Sequence, residues 1–191
     1  PRPGKALALS LDLRLQYVQH RELQRAMRET GAAAGSAVTL DAWTGEVLAV
    51  SNYPVFNPNS REALDFSSAR NRALTDAYEP GSTIKTLTLV AALESRQFHI
   101  DSLVDTAPGR IRVGAKVLHD PRNYGEISVS KIIEKSSQVG VTKMAQAVGH
   151  EAILDVLYRF GLGESTGTGF PGERTGRLPA PTHWSEIEKV T

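Results

Sequence analysis

No cysteine occurs anywhere in the 191 residues, which excludes disulfide staples, thiolate nucleophiles and thiolate metal sites while leaving the cellular compartment open. Aromatic residues are scarce at 6%, and neither charge dominates: 22 Lys and Arg stand against 21 Asp and Glu, for a formal net charge of +1. With the signs interspersed and no basic stripe, nothing points to nucleic acid or to an anionic membrane surface as a partner. Long apolar runs are lacking too. Leu87 to Leu93, among the longest, falls far short of the roughly 20 residues that a spanning helix needs. The five histidines show no His-x-x-x-His pairing, and His119-Asp120 reads as a lone polar pair in a turn, so no metal site and no cofactor is expected. The glycines between Gly161 and Gly172 lack phosphate-loop order, and no Gly-Lys-[Ser/Thr] follows them.

What is present is a globular composition, 40% hydrophobic and 23% charged, of a length suited to one domain. The chain opens on Pro1 rather than methionine and stops at Lys189-Val190-Thr191 without a cap or turn. It is therefore expected to be an internal piece of a longer protein whose anchor or targeting segment lies elsewhere.

The order of elements is mixed. Ala6-Leu7-Ala8-Leu9 has the pattern of a short strand, and Ser10 or Asp12 is placed to cap a helix running to about Thr30, with Gly31 as its stop. At about 100° per residue, Leu11, Leu15, Val18, Leu23 and Ala26 gather on one side of it, which predicts a packing face. Ser36 to Leu40 and Glu46 to Val50 flank Asp41-Ala42-Trp43-Thr44-Gly45 as two antiparallel strands flank a tight turn. Loop is expected from Asn52 to Gly81, with partial helix over Arg61 to Ala77. Arg110 to Leu118 reads as a short extended excursion turning at glycine. Helices are predicted over Ser128 to Ser136, Val139 to Val148 and Glu151 to Phe160, followed by a glycine-rich loop. Trp43 is expected as a packing or rim residue, and Arg70 and Arg72 as structural ion-pair residues. No repeat of fixed period is found.

The stretch Glu79-Pro80-Gly81-Ser82-Thr83-Ile84-Lys85 carries two readings. In one, Ser82 caps the apolar helix through Leu93. In the other, Ser82 and Lys85 lie one turn apart on the same face, so the amine reaches the hydroxyl and takes its proton. The second reading needs a lysine that is partly neutral near pH 7, hence buried. A serine at a helix start also sits beside free backbone N–H groups, where an oxyanion would develop in acyl transfer. Ser-x-x-Lys recurs at Ser128-Val129-Ser130-Lys131. If Ser128 and Ser136 share a helix, they lie about 12 Å apart, too far to share a proton. Ser128 is therefore read as a cap, and Ser82-x-x-Lys85 with Ser136-Ser137-Gln138 as the pair of elements that meet from different segments.

Ser-x-x-Lys followed by a Ser-x-Asn-type triplet and Lys-Thr-Gly is the signature set of penicillin-binding proteins and class A β-lactamases. Arg70-Asn71-Arg72-Ala73, Glu79 to Lys85, Lys135-Ser136-Ser137-Gln138-Val139-Gly140-Val141, Gly169-Phe170-Pro171-Gly172-Glu173 and the hairpin around Asp41 to Glu46 together resemble the transpeptidase domain of class B penicillin-binding proteins. The likeness covers nearly the whole chain and is strongest to the division-specific peptidoglycan D,D-transpeptidase. The fold class this implies is α/β: residues 1–191 as the N-terminal part of a penicillin-binding-protein/serine β-lactamase-like transpeptidase domain, helix-rich with part of an antiparallel sheet.

The resemblance further implies Ser82 as the acylated nucleophile toward D-alanyl-D-alanine stem peptides and toward β-lactams, Lys85 as its base, Ser136 as the relay to the leaving amine and Gln138 as a substrate-binding residue. Cell-division membrane proteins would be partners, and the periplasmic face of the bacterial inner membrane the location, with an N-terminal anchor outside this chain. Two departures stand out. Gln138 occupies the place where the family has asparagine, lengthening the amide arm by one methylene. Lys-[Ser/Thr]-Gly is missing, since Arg174-Thr175-Gly176 lies in a loop context. The domain is accordingly expected to be incomplete on its C-terminal side, and this stretch alone to be nearly inactive. A serine D,D-carboxypeptidase or β-lactamase on the same scaffold, or a β-lactam sensor or division scaffold with a weakened site, are the alternatives.

Overall fold

A computed structural model describes residues 4–57, 59 and 69–190, which form two compact units. Of the predicted partial helix over residues 61–77, residues 61–68 lie outside the described residues. Its last part contains one short helix, Arg72–Thr75 (α2).

The first unit comprises Pro1–Asp76 with Gly169–Arg174. Its long helix, Leu13–Thr30 (α1), begins and ends where the sequence says it should. Asp12 accepts from the backbone N–H of Arg14 and Leu15, and Gly31 closes the helix in a left-handed conformation with its N–H on the Met27 carbonyl. The helix packs on an antiparallel pair, Gly35–Leu40 (β1) and Val47–Tyr53 (β2), joined through Asp41 to Glu46. In that turn the Asp41 carboxylate accepts from the Trp43 and Thr44 amides, and Trp43 itself is almost fully exposed.

Two expectations fail here. Ala6 to Leu9 forms no strand; the segment that follows is held instead by isolated bonds, Ser10 Oγ to the Val47 carbonyl and the Asp12 N–H to the Leu48 carbonyl. The face of α1 that meets the sheet is also not the aliphatic one, because Leu11, Leu15 and Val18 stay exposed. Gln16, Gln19, Leu23 and buried Met27 occupy the inner side. The Gln16 carboxamide satisfies both backbone groups of Val50, and Gln19 reaches the Ala37 carbonyl and Ser51 Oγ. An amide that pairs with strand backbone removes the desolvation cost that would otherwise favour an aliphatic residue there. Arg70 and Arg72 do form the expected ion pairs, both with Asp76.

The second unit comprises Ala77–Thr168 with Thr175–Thr191. A 3-10 turn, Gly81–Ile84, runs into a helix, Lys85–Glu94 (α3). An excursion follows, made of Leu103–Asp105 (β3), Arg110–Val113 (β4), Lys116–His119 (β5) and Glu126–Ser128 (β6); β3 pairs with β6 and β4 with β5, both antiparallel. Three helices then follow, Val129–Glu134 (α4), Gln138–Val148 (α5) and His150–Arg159 (α6). Ser128 caps α4 through the Lys131 N–H, as expected. Residues 161–173 and the Arg174-Thr175-Gly176 triplet are loop.

Helix α5 is the axis of this unit. Val139, Val141, Met144 and Ala145 are fully buried against α3 and α4, and Ala91 and Ala92 let α3 approach closely. Gly140 is required by contact rather than by backbone conformation. A Cβ at that position would stand 2.7 Å from Ile132 Cγ1 and 2.8 Å from its Cδ1, and Ile132 is itself fully buried. Gly140→Ala is therefore expected to lower the unfolding free energy by about 1–3 kcal/mol through overpacking, measured as a shift in denaturant midpoint. Unchanged stability would mean that Ile132 has room to turn aside.

Candidate active site

Pro80 and Gly81 make the entry to α3. Gly81 takes φ +60 with open space around its Cα, so conformation alone accounts for the glycine. Ser82 does not cap the helix. It lies inside the 3-10 turn, whose N-cap is Pro80, while the N-cap of α3 is Ile84, and among the described residues the Ser82 hydroxyl has no hydrogen-bond partner. Ser82 is exposed at the mouth of an open cleft of roughly 430 Å³ that it lines together with Glu79, Pro80, Gly81, Ile84, Lys85 and Gln138.

Lys85 is the opposite case, with only 9% of its surface exposed. Its amine donates to the Ser136 carbonyl at 2.8 Å and to Ser136 Oγ at 3.1 Å. Burial pushes its pKa below 10.5, and the Asp120 carboxylate partly offsets this. The decoy Lys131 shows the contrast: it is exposed and ion-paired with Glu134, whose carboxyl Lys131 and Lys135 hold at about 2. The same sequence pattern thus yields one buried amine in a cleft and one solvated surface charge.

Ser136 owes its position to the end of α4. The Ser137 N–H bonds the Ile132 carbonyl at 2.9 Å and the Ser136 N–H bonds the Ile133 carbonyl at 3.0 Å, the two bonds of a Schellman motif. Ser136 holds the left-handed position of that motif at φ 50, where glycine is the usual residue. A serine there costs backbone energy, on the order of 1–2 kcal/mol. Ser137 points inward, fully buried, and caps α5 by accepting from the Gly140 N–H. Gln138 opens α5 and lines the cleft.

All four residues named from the sequence, Ser82, Lys85, Ser136 and Gln138, therefore come together around the start of α3 and the α4–α5 turn. Sequence reasoning missed Asp120. It lies at the end of β5, largely buried, and accepts from Ser137 Oγ at 2.6 Å, the Gln138 N–H at 2.6 Å and the Val139 N–H at 3.2 Å. His119-Asp120 is thus not a lone polar pair: its carboxylate clamps the Ser-Ser-Gln triplet across 17 to 19 residues of sequence. No local pattern announces that link.

Comparison with known proteins bears on what such a site is. The family profile described as the penicillin binding protein transpeptidase domain matches residues 35–191. The chain is 42% identical over 185 residues to peptidoglycan D,D-transpeptidase FtsI of Escherichia coli, covering 97% of this chain and 31% of that protein. It is 39% identical over 187 residues to the probable peptidoglycan D,D-transpeptidase PbpC of Pseudomonas aeruginosa, covering 98% of this chain and 33% of the relative. Among solved structures it resembles the apo transpeptidase domain of Burkholderia pseudomallei penicillin-binding protein 3, with a TM-score of 0.84 and 35% identity over 100% of this chain and 53% of that one. The chain thus spans about a third of the length of these curated relatives.

The Schellman geometry gives a test by sign. Ser136→Gly and Ser136→Ala both remove the hydroxyl, but only glycine relieves the left-handed backbone. Ser136→Gly is expected to be the more stable of the two by about 1 kcal/mol, the reverse of the usual order in regular structure, in parallel thermal melts. A more stable alanine variant would contradict the conformation described.

Proposed function

For a chain that belongs to the penicillin-binding protein transpeptidase domain family, we propose a peptidoglycan D,D-transpeptidase that cross-links stem peptides in septal wall synthesis through a Ser82 acyl-enzyme. The observation that carries this reading is the Lys85 amine, buried and bonded to Ser136 in the cleft that Ser82 and Gln138 share with it.

The chemistry follows from counting donors. A neutral amine has two N–H bonds and one lone pair. With both N–H groups directed at the Ser136 carbonyl and Oγ, the lone pair is left to accept the Ser82 proton. Ser82 Oγ then attacks the carbonyl carbon of the penultimate D-alanine. The resulting oxyanion is stabilised by the Ser82 N–H in the first helical turn, where donors lack intrahelical acceptors. On collapse the C–N bond breaks, and the proton taken by Lys85 passes through the Ser136 hydroxyl to the departing D-alanine amine. An amine from a neighbouring strand then attacks the ester, returns its proton along the same path and frees Ser82.

Gln138 offers its carboxamide to the substrate's amide from the cleft wall, one methylene further out than the family's asparagine. Penicillin acylates the same serine by opening its four-membered ring, and the ester persists because no amine is positioned to displace it. The Lys-[Ser/Thr]-Gly element would supply the second oxyanion donor. Membrane proteins of the division machinery are the partners in this reading, and the periplasmic face of the inner membrane its location.

In the intact protein, Ser82→Ala is expected to abolish covalent labelling by fluorescent penicillin; labelling that survives would refute the nucleophile. The wild-type acylation rate is expected to climb with pH, because the neutral amine is the active form, with a midpoint below 10.5, since burial favours loss of the proton. A rate that does not fall as the pH is lowered from alkaline into the acid range would remove Lys85 as the base.

A further inference from the structure

We infer that Asp120 is a positioning residue for this site, and that the β3–β6 excursion exists in this fold to deliver its carboxylate beneath the Ser136-Ser137-Gln138 turn. The inference rests on the acyl-transfer reading above and deepens it.

Three observations carry it. First, the carboxylate is spent entirely on one turn: Oδ2 accepts from Ser137 Oγ, and Oδ1 from the Gln138 and Val139 amides. Those amides belong to the first turn of α5, where a carboxylate meets both unpaired donors and the positive end of the helix dipole. Ser137 relays the hold inward, donating to Asp120 while accepting from the Gly140 N–H. Second, the excursion is built to fix Asp120 in place. The Asp120 N–H bonds the Gly109 carbonyl at 2.9 Å, and Gly109 in turn bonds Thr106. Gly109 sits so close to Arg122 and Asn123 that a Cβ would meet their backbone at 3.0–3.1 Å. Third, the Asp120 carboxylate also acts on the Lys85 amine, favouring its charged form against the effect of burial.

The consequence is a division of labour along three consecutive residues. Ser136 is held from the α3 side by Lys85, and Ser137 with the Gln138 backbone is held from the β5 side by Asp120. Without the carboxylate, Ser137 and two amides at the start of α5 lose their acceptor, and the hydroxyl and carboxamide on either side lose their register with Ser82. Displacement by about 1 Å is enough to lower a rate by 10²-fold.

The experiment compares wild-type intact protein with Asp120→Asn and Asp120→Ala, read by penicillin acylation rate against pH and by hydrogen exchange of residues 136–139. Asp120→Asn keeps the shape and removes the charge, so it covers the case in which the alanine variant fails to fold. The expected result is an acylation rate down on the order of 10²-fold in the alanine variant, faster exchange at Gln138 and Val139, and in Asp120→Asn a pH midpoint moved to lower pH, since the group that raises the Lys85 pKa is gone. A purely structural carboxylate would lower the melting temperature without moving the pH midpoint. That outcome, or unchanged exchange at Gln138 and Val139, would overturn the inference. If wild type itself is not acylated at Ser82, the functional reading fails instead, and the exchange measurement still decides whether Asp120 holds the turn.

Discussion

A lysine amine removed from water is the constraint around which the second unit is arranged. Lys85 starts α3 nearly buried, and the energetic penalty of a desolvated ammonium is answered by two hydrogen bonds to one residue, Ser136. The Asp120 carboxylate pulls the other way by favouring the charged form, yet burial is the larger influence and the pKa falls. In the proposed mechanism this balance is what lets the amine accept a proton and return it.

Holding Ser136 in that place has structural costs that the surrounding elements absorb. A serine in the left-handed position of a Schellman motif is strained, and what fixes it is the sequence on either side. Buried Ile132 supplies the carbonyl that receives the Ser137 N–H, Gly140 lets α5 close over Ile132, and Asp120 anchors the first turn of α5. The functional turn is therefore over-determined from three directions, by α3, by the β5 end and by the α4–α5 contact. Ser82 is treated differently, with an exposed hydroxyl that has no partner among the described residues, which leaves it open to a ligand in the proposed reading.

Much of this was readable in the amino-acid order because it is local. Asp12 and Gly31 bracket α1, Ser128 caps α4, the Asp41 turn joins β1 to β2, and the pair Ser82 and Lys85 is one turn apart. What was not readable is non-local or depends on side-chain amides. The strand expected at Ala6 to Leu9 has suitable residues but finds no ladder to join. The inner face of α1 was misjudged because hydrophobic periodicity does not register that Gln16 and Gln19 bury well when strand backbone offers them both donors and acceptors. Asp120 was passed over because a carboxylate that clamps a turn 17 residues away has no spacing rule of its own. Ser-x-x-Lys appears twice, and burial, which spacing alone does not report, separates Lys85 from Lys131.

The most direct test is to titrate the Lys85 amine itself in the intact protein, by the carbon-13 shift of its ε-carbon, with Lys85→Arg to assign the signal. A pKa below 10.5, the value for an unperturbed lysine, is the predicted result. An amine that titrates at or above that value would be a charged lysine at neutral pH, and the account of Ser82 activation would not stand.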